Sequence, residues 1–120
     1  VVCGGRGIGS TEGFQTLDEL ASVLGGAVGV TRAVCDMGWR PVSEQIGLTG
    51  KVVSPTLYFA IALSGASQHM AGCSGAKNII AINKDPEAPI FKIATYGIVA
   101  DLFTAVPMIT EEFKKRFGIS

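Results

Sequence analysis

Apolar residues in this chain fall into short runs separated by glycine-rich turns and by stretches with helical spacing. Val1-Val2-Cys3 reads as the tail of a buried strand, followed by Gly4-Gly5-Arg6-Gly7-Ile8-Gly9 and by Ser10-Thr11-Glu12, which supply capping residues for a helix. Phe14, Leu17, Ala21 and Leu24 recur at helical spacing and predict its buried stripe, which Gly25-Gly26 ends. Ala27 to Val30 predicts a second strand, and Thr31 a cap for a short helix through Met37; Gly38 to Ser54 reads as irregular. Leu57 to Leu63 is apolar on both faces, the pattern of a central parallel strand covered on each side. Ser64-Gly65-Ala66 then turns into a helix through Ala71.

Asn78 to Asn83 predicts another strand, Lys84 to Pro89 a turn, and Ile90 to Ala94 a short strand. Tyr96-Gly97-Ile98-Val99 leads to a helix over Asp101 to Ala105, broken at Val106-Pro107. A last helix turns Ile109, Phe113 and Phe117 inward and Glu111, Lys114, Lys115 and Arg116 outward. Strand and helix alternate, so the expected class is α/β, a three-layer Rossmann-like domain with a mostly parallel sheet and a ligand at the carboxyl ends of its strands.

A length of 120 residues suits one domain, and 48% hydrophobic against 17% charged residues describes a well-buried globule. Sixteen glycines imply tight turns or backbone that must approach a ligand. Ten basic and ten acidic residues cancel, so no chain-wide field draws nucleic acid or anionic lipid. No apolar run approaches the roughly 20 residues of a membrane span, and membrane insertion is not expected. Cys3, Cys35 and Cys73 are odd in number and widely spaced, which suits buried, reduced thiols. With no methionine before that first strand, the chain reads as a fragment of a longer polypeptide.

Familiar chemistries fit poorly. Gly5-x-Gly7-x-x-Ser10 has serine in place of the third glycine of a dinucleotide fingerprint, and Thr31-Arg32 stands where an acidic ribose ligand belongs. An arginine there suits the extra phosphate of NADP, which keeps an NADP-binding module as one alternative. Gly50-Lys51 lacks the hydroxyl residue and the upstream glycine of a triphosphate loop. His69, the one histidine, has no metal-ligand partner at helical or hairpin spacing, and Ser67 does not face it on a helix.

The polar residues at the strand ends carry a resemblance. Leu57-Tyr58, Ser64-Gly65-Ala66-Ser67-Gln68-His69, Ala81-Ile82-Asn83-Lys84-Asp85-Pro86-Glu87-Ala88-Pro89-Ile90-Phe91 and Tyr96-Gly97-Ile98-Val99-Ala100-Asp101-Leu102 closely resemble the alpha subunit of electron transfer flavoprotein. The likeness runs from Gly4-Gly5-Arg6-Gly7 nearly to the last helix. It implies that residues 1–120 are the carboxyl-terminal, DHS-like FAD-binding domain, completed by an amino-terminal domain and a beta subunit that this chain lacks. It also implies an electron carrier without substrate turnover of its own, between flavoprotein dehydrogenases such as those for acyl-CoA and a downstream acceptor. Some members of the family bifurcate electrons. The implied compartment is the cytoplasm of a prokaryote, or the mitochondrial matrix in a eukaryote.

The resemblance further implies a distribution of residues along FAD. Arg32 would lie against the isoalloxazine ring with Thr31 beside it, and Thr49, followed by Gly50, would direct its hydroxyl to N5. His69 would sit near the C2 carbonyl. Ser64, Gly65 and Gln68 would face the ribityl and pyrophosphate, and Arg6 the pyrophosphate or a domain junction. Asn83, Lys84, Asp101 and Leu102 would surround the adenosine half. Leu48 stands where the family usually has glutamine, a departure that bears on potential and on the type of partner. A fixed guanidinium suits a ring that gains negative charge on reduction, since a unit charge at 4 Å contributes about 4 kcal/mol at an effective dielectric of 20. Taken singly, each residue has a plainer reading: Arg32 a helix-end charge, His69 a helix histidine, Thr49 a turn residue, Asp101 a helix cap, Asn83 a strand-end turn. A structural subunit with an empty or AMP-filled site is the second alternative.

Overall fold

The computed structural model describes residues 1–46, 57–63 and 75–118. Its strands are β1 (Val2–Gly4), β2 (Val28–Val30), β3 (Leu57–Ile61), β4 (Asn78–Asn83) and β5 (Tyr96–Val99). They form one sheet in the order β2-β1-β3-β4-β5, with every pairing parallel. Among the described residues the α-helices are α1 (Phe14–Leu24), α2 (Arg32–Asp36) and α3 (Leu102–Phe117).

The inner strands β1, β3 and β4 are largely buried on both faces because successive side chains alternate and both sets are apolar. Val2, Phe59, Ile61 and Ile82 meet Phe14, Leu17, Leu20 and Ala21 of α1, Val34 of α2, and Leu102 and Val106 of α3. On the other face Cys3, Tyr58, Ala60, Ile79 and Ala81 pack with Ile46, Leu63, Ala88 and Ile90. These two apolar layers around a parallel sheet are the Rossmann-like architecture that the alternation of elements predicts.

Several local expectations change. Ser10 does not cap α1 directly; its Oγ accepts from the N–H of Gly13, the residue before the helix, at 3.1 Å. Pro89–Lys92 is a 3-10 turn and not a strand, its proline supplying the fixed φ of a first helical position. Tyr96–Val99 is a paired strand, with Ile80 opposite Tyr96 and Asn83 opposite Val99. Finally, α3 runs unbroken through Pro107. Buried Leu102, Val106 and Thr110 hold both halves of that helix on the core, which offsets the hydrogen bond that proline removes. Phe117, expected inward, is 54% exposed at the helix end.

β3 is shorter than its apolar run. Its successor Ala62 adopts φ +55°, in the left-handed region that a side chain disfavours by about 1–2 kcal/mol. The turn is held on both sides: Ala62 N–H donates to the Ile82 carbonyl at 2.8 Å, and the Ala62 carbonyl accepts from Gly7 N–H at 3.1 Å.

Candidate functional site

In a sheet of this order the chain leaves β1 toward one side and β3 toward the other, so the loops after these two strands flank the topological switch point. Here those loops are sewn together. Gly5 N–H donates to the Ile61 carbonyl at 3.0 Å, beside the Gly7 to Ala62 bond. A Cβ on Gly5 would fall 2.5 Å from Leu63 Cβ and 2.6 Å from the Ala62 oxygen, so only glycine permits the approach. The N–H groups of Gly5 and Gly7 thus serve this closure, which agrees with setting the dinucleotide fingerprint aside.

Next to the closure, over the carboxyl ends of β3, β4 and β5, lies a cleft of about 160 Å³. Its lining is Gly7, Ala62, Ile82, Asn83, Lys84, Ala100, Asp101, Leu102 and Phe103. Four residues assigned from sequence to the adenosine half, Asn83, Lys84, Asp101 and Leu102, therefore come together in one place. Their positions follow from local chemistry. Asn83 ends β4, where its Nδ2 donates to the Leu63 carbonyl at 2.9 Å and its Oδ1 accepts from Asp85 N–H at 2.9 Å. Asp101 precedes α3 in extended conformation, and its Oδ1 accepts from Phe103 N–H at 2.8 Å.

Both plain readings, the strand-end turn and the helix cap, are thus present in the structure. Neither exhausts the side chain. A primary amide has two N–H donors and an oxygen with two lone pairs, so Asn83 retains a donor and an acceptor site. Asp101 is exposed, and its Oδ2 accepts nothing from the described residues. Lys84 adds an exposed cation.

The donor set and the volume can be tested against a dinucleotide. A carboxylate oxygen and amide groups on an apolar floor of Ala62, Ile82 and Leu102 suit a ribose diol and a base edge, while Lys84 suits a phosphate. The cleft is smaller than the roughly 300–1,000 Å³ of pockets that enclose a whole ligand. It has room for one part of such a ligand and not for the whole.

Arg6, Thr31 and Arg32 stand apart from this cleft. Arg6 is the exposed first residue of a 3-10 turn and is chain neighbour to Gly7 of the lining. Thr31 is the extended residue before α2, without a side-chain cap bond, and its N–H donates to the Gly4 carbonyl at 3.2 Å. Arg32 starts α2 with its side chain 65% exposed, 3.7 Å from Asp36 on the same helix. From the end of β2 to the end of β4 is three strand spacings, about 14 Å at ~4.8 Å each. Leu48, Thr49, Gly50, Ser64, Gly65, Gln68 and His69 lie outside the described residues.

Sequence reasoning missed Gly7, Ala62, Ile82, Ala100 and Phe103 in the lining. Gly7 had a signal, its place in the opening glycine cluster, and Phe103 follows Asp101-Leu102 directly. Ala62 had none, because a left-handed alanine leaves no trace in composition. Among the described residues no group of His, Cys, Asp and Glu forms a metal site, and no helix is long and apolar enough to cross a membrane.

Residues 1–74 match the family model described as the electron transfer flavoprotein FAD-binding domain. The chain is 63% identical over 115 residues to electron transfer flavoprotein subunit alpha of Bacillus subtilis (strain 168), covering 96% of this chain and 35% of that protein. It is 55% identical over 118 residues to the same subunit of Mycobacterium tuberculosis, covering 98% and 37%. To the mitochondrial subunit alpha of Dictyostelium discoideum it is 56% identical over 115 residues, covering 96% and 32%. The chain spans about a third of the length of these relatives.

Proposed function

The chain belongs to the electron transfer flavoprotein alpha-subunit family through its FAD-binding domain, and from that premise we propose that it holds FAD across the carboxyl rim of its sheet as an electron carrier. The carrying observation is the convergence of Asn83, Lys84, Asp101 and Leu102 on one nucleoside-sized cleft. In this reading the cleft takes the adenosine half: Asp101 Oδ2 and the Asn83 amide bind hydroxyl and base-edge groups, and Lys84 faces a phosphate. The flavin ring lies toward the end of β2, where Thr31 and Arg32 are placed. FAD, when bound, supplies the redox chemistry; the chain supplies binding, orientation and charge.

Arg32 is exposed on the described surface and has one ion pair there, with Asp36, long and on its own helix. Its charge is therefore available to a ring laid over α2, where removal of water strengthens it. Thr49 and His69 complete the ring's polar surroundings in this proposal, Gly50 follows Thr49, and Ser64, Gly65 and Gln68 line the path between the halves. Leu48 in the usual glutamine position removes an amide from those surroundings and alters the potential.

We assign residues 1–120 to this one domain and the remaining two thirds of the relatives' length to further parts of a complete subunit. The proposed partners are a beta subunit, a flavoprotein dehydrogenase and a downstream acceptor, with no substrate turnover on this chain. Bacterial relatives favour the cytoplasm as the compartment.

The test is reconstitution of the complete subunit pair with FAD. The expected result is one flavin per pair, with wild-type protein outcompeting Asp101→Ala for limiting FAD. A colourless pair in excess FAD refutes the proposal, and a pair that takes up NADP instead favours the alternative motivated by Arg32.

A further inference from the structure

Arg40 has no part in the cleft, yet among the described residues it gathers four hydrogen bonds to carboxylate oxygens on one side chain. Its Nη1 and Nη2 donate to the two oxygens of Asp18 on α1, each at 3.2 Å. Its Nε and Nη2 donate to the two oxygens of Glu44 at 2.7 and 3.3 Å. The guanidinium also lies 5.6 Å from the centre of the Phe14 ring. One planar cation thus joins α1 to the 3-10 turn Val42–Glu44, a geometry that lysine cannot reproduce.

What this clamp holds is the neighbourhood of Arg32. α2 is five residues long, well below the length that is stable by itself. Its placement comes from Val34 in the core at its middle and from the chain that returns after it. That return is tied at three points: Trp39 N–H to the Val34 carbonyl at 3.3 Å, Cys35 Sγ to the Pro41 carbonyl at 3.6 Å, and Arg40 to Asp18 and Glu44. Immediately beyond Glu44, Gln45 bridges Val30 in parallel, and Ile46 N–H donates to the Val30 carbonyl at 2.9 Å. The clamp therefore fixes both arms, α2 and Gln45–Ile46, that flank the carboxyl end of β2. Without the cation, Asp18 and Glu44 are left as two carboxylates gathered at one point, and their repulsion pushes those arms apart.

We infer that Arg40 is a positioning residue for the redox end of the cofactor site, gripping Asp18 and Glu44 so that α2 presents Arg32 at a fixed place beside the end of β2. This rests on the proposed binding of FAD and goes beyond it, because it assigns control of the flavin potential to a residue that does not touch the flavin.

The experiment is a double-mutant cycle on the complete subunit pair loaded with FAD, reading flavin content, the one-electron potential by redox titration, and thermal stability. Arg40→Gln should keep one flavin per pair and lower the potential by up to a tenfold change in the reduction equilibrium, ~59 mV for one electron. In an Arg32→Ala background, Arg40→Gln should lower the potential no further, because the charge it positions is gone. Glu44→Gln, which keeps the cation and the Asp18 arm, should move the potential in the same direction by less, and it replaces Arg40→Gln if that variant does not fold. An unchanged potential in spite of lowered thermal stability, or an equal shift with and without Arg32, reduces Arg40 to a purely structural role and overturns the inference. Wild-type protein that takes up no flavin overturns the underlying binding proposal instead, and the two failures are therefore distinct.

Discussion

Gly5→Ala is the sharpest perturbation available, because the two reasons a chain needs glycine are separated here along a few residues. Gly5 has φ −108°, where alanine is at ease, but its added methyl would stand 2.5 Å from Leu63 Cβ, 2.6 Å from Leu63 Cα and 2.6 Å from the Ala62 oxygen. Two of those three atoms are backbone, so no rotamer change relieves them. Overpacking typically costs about 1–3 kcal/mol. The neighbours here are rigid, so the upper half of that range applies. Two loop bonds, Gly5 to Ile61 and Gly7 to Ala62, loosen as the strands part, each contributing about 1 kcal/mol. Against this, alanine restricts the unfolded chain and restores about 0.4–1 kcal/mol. The net expectation is a loss of about 3 kcal/mol. Gly9 is the control: its φ is +91° and nothing lies within 4 Å of its added methyl, so Gly9→Ala meets conformational strain of about 1–2 kcal/mol alone. Urea unfolding of the complete protein, followed by far-ultraviolet dichroism, measures both. Binding of FAD to folded protein should weaken in Gly5→Ala, which displaces Gly7 and Ala62 in the cleft, and remain unchanged in Gly9→Ala. A Gly5 variant no less stable than the Gly9 variant, or one with wild-type affinity for FAD, refutes the account of the closure.

Asp101 should separate its two roles by substitution. Asp101→Ser keeps a capping oxygen and Asp101→Ala does not, so only alanine should cost about 1 kcal/mol of stability, while both should weaken FAD binding in a competition assay. Ala62→Gly removes the left-handed strain but frees the unfolded chain, so the strain relieved and the entropy added leave a net stabilisation between zero and about 1.5 kcal/mol; a destabilised variant in urea would show that the Ala62 methyl contributes packing.

The inner strands were legible because burial on both faces writes itself into sequence as continuous apolar runs, and Leu57–Ile61 and residues 79–82 are such runs. α1 was legible because its stripe repeats over three turns. β5 was harder: it is an edge strand in which Tyr96, Gly97 and Val99 are exposed, so no buried pattern marks it. α3 was misread at Pro107 because proline signals a break locally, while Val106 and Thr110, buried on either side, hold the helix from a distance. The cleft was legible in part for a related reason. Asn83 ends a strand and Asp101 precedes a helix, places where sequence marks position well. Arg40 gave no sign, since its partners Asp18 and Glu44 belong to segments that only the fold brings together.

Local and functional readings of a polar residue are usually set against each other, but at Asn83 and Asp101 the proposed ligand role would build on the local one. A side chain that reaches a ligand from a loop must give up rotamer freedom on binding, at a cost of up to about 1.5–2 kcal/mol for a long one. Asn83 has already given up that freedom to the Leu63 carbonyl and Asp85 N–H, and Asp101 to Phe103 N–H. Each turn bond immobilises one edge of a group that lines the cleft. The arrangement has an energetic signature: replacing Asn83 or Asp101 should reduce affinity by more than the single hydrogen bond to the ligand that each supplies, because a looser rim must then make the rest. Lys84, held by nothing among the described residues but its backbone, should lose only its own charge contribution, which salt screens within about 10 Å at 0.1 M. Affinity of the Lys84→Ala variant should therefore approach wild type as salt rises, while the deficits of the Asn83 and Asp101 variants persist. Equal salt sensitivity in all three would mean that the turns hold the backbone and do nothing for the ligand.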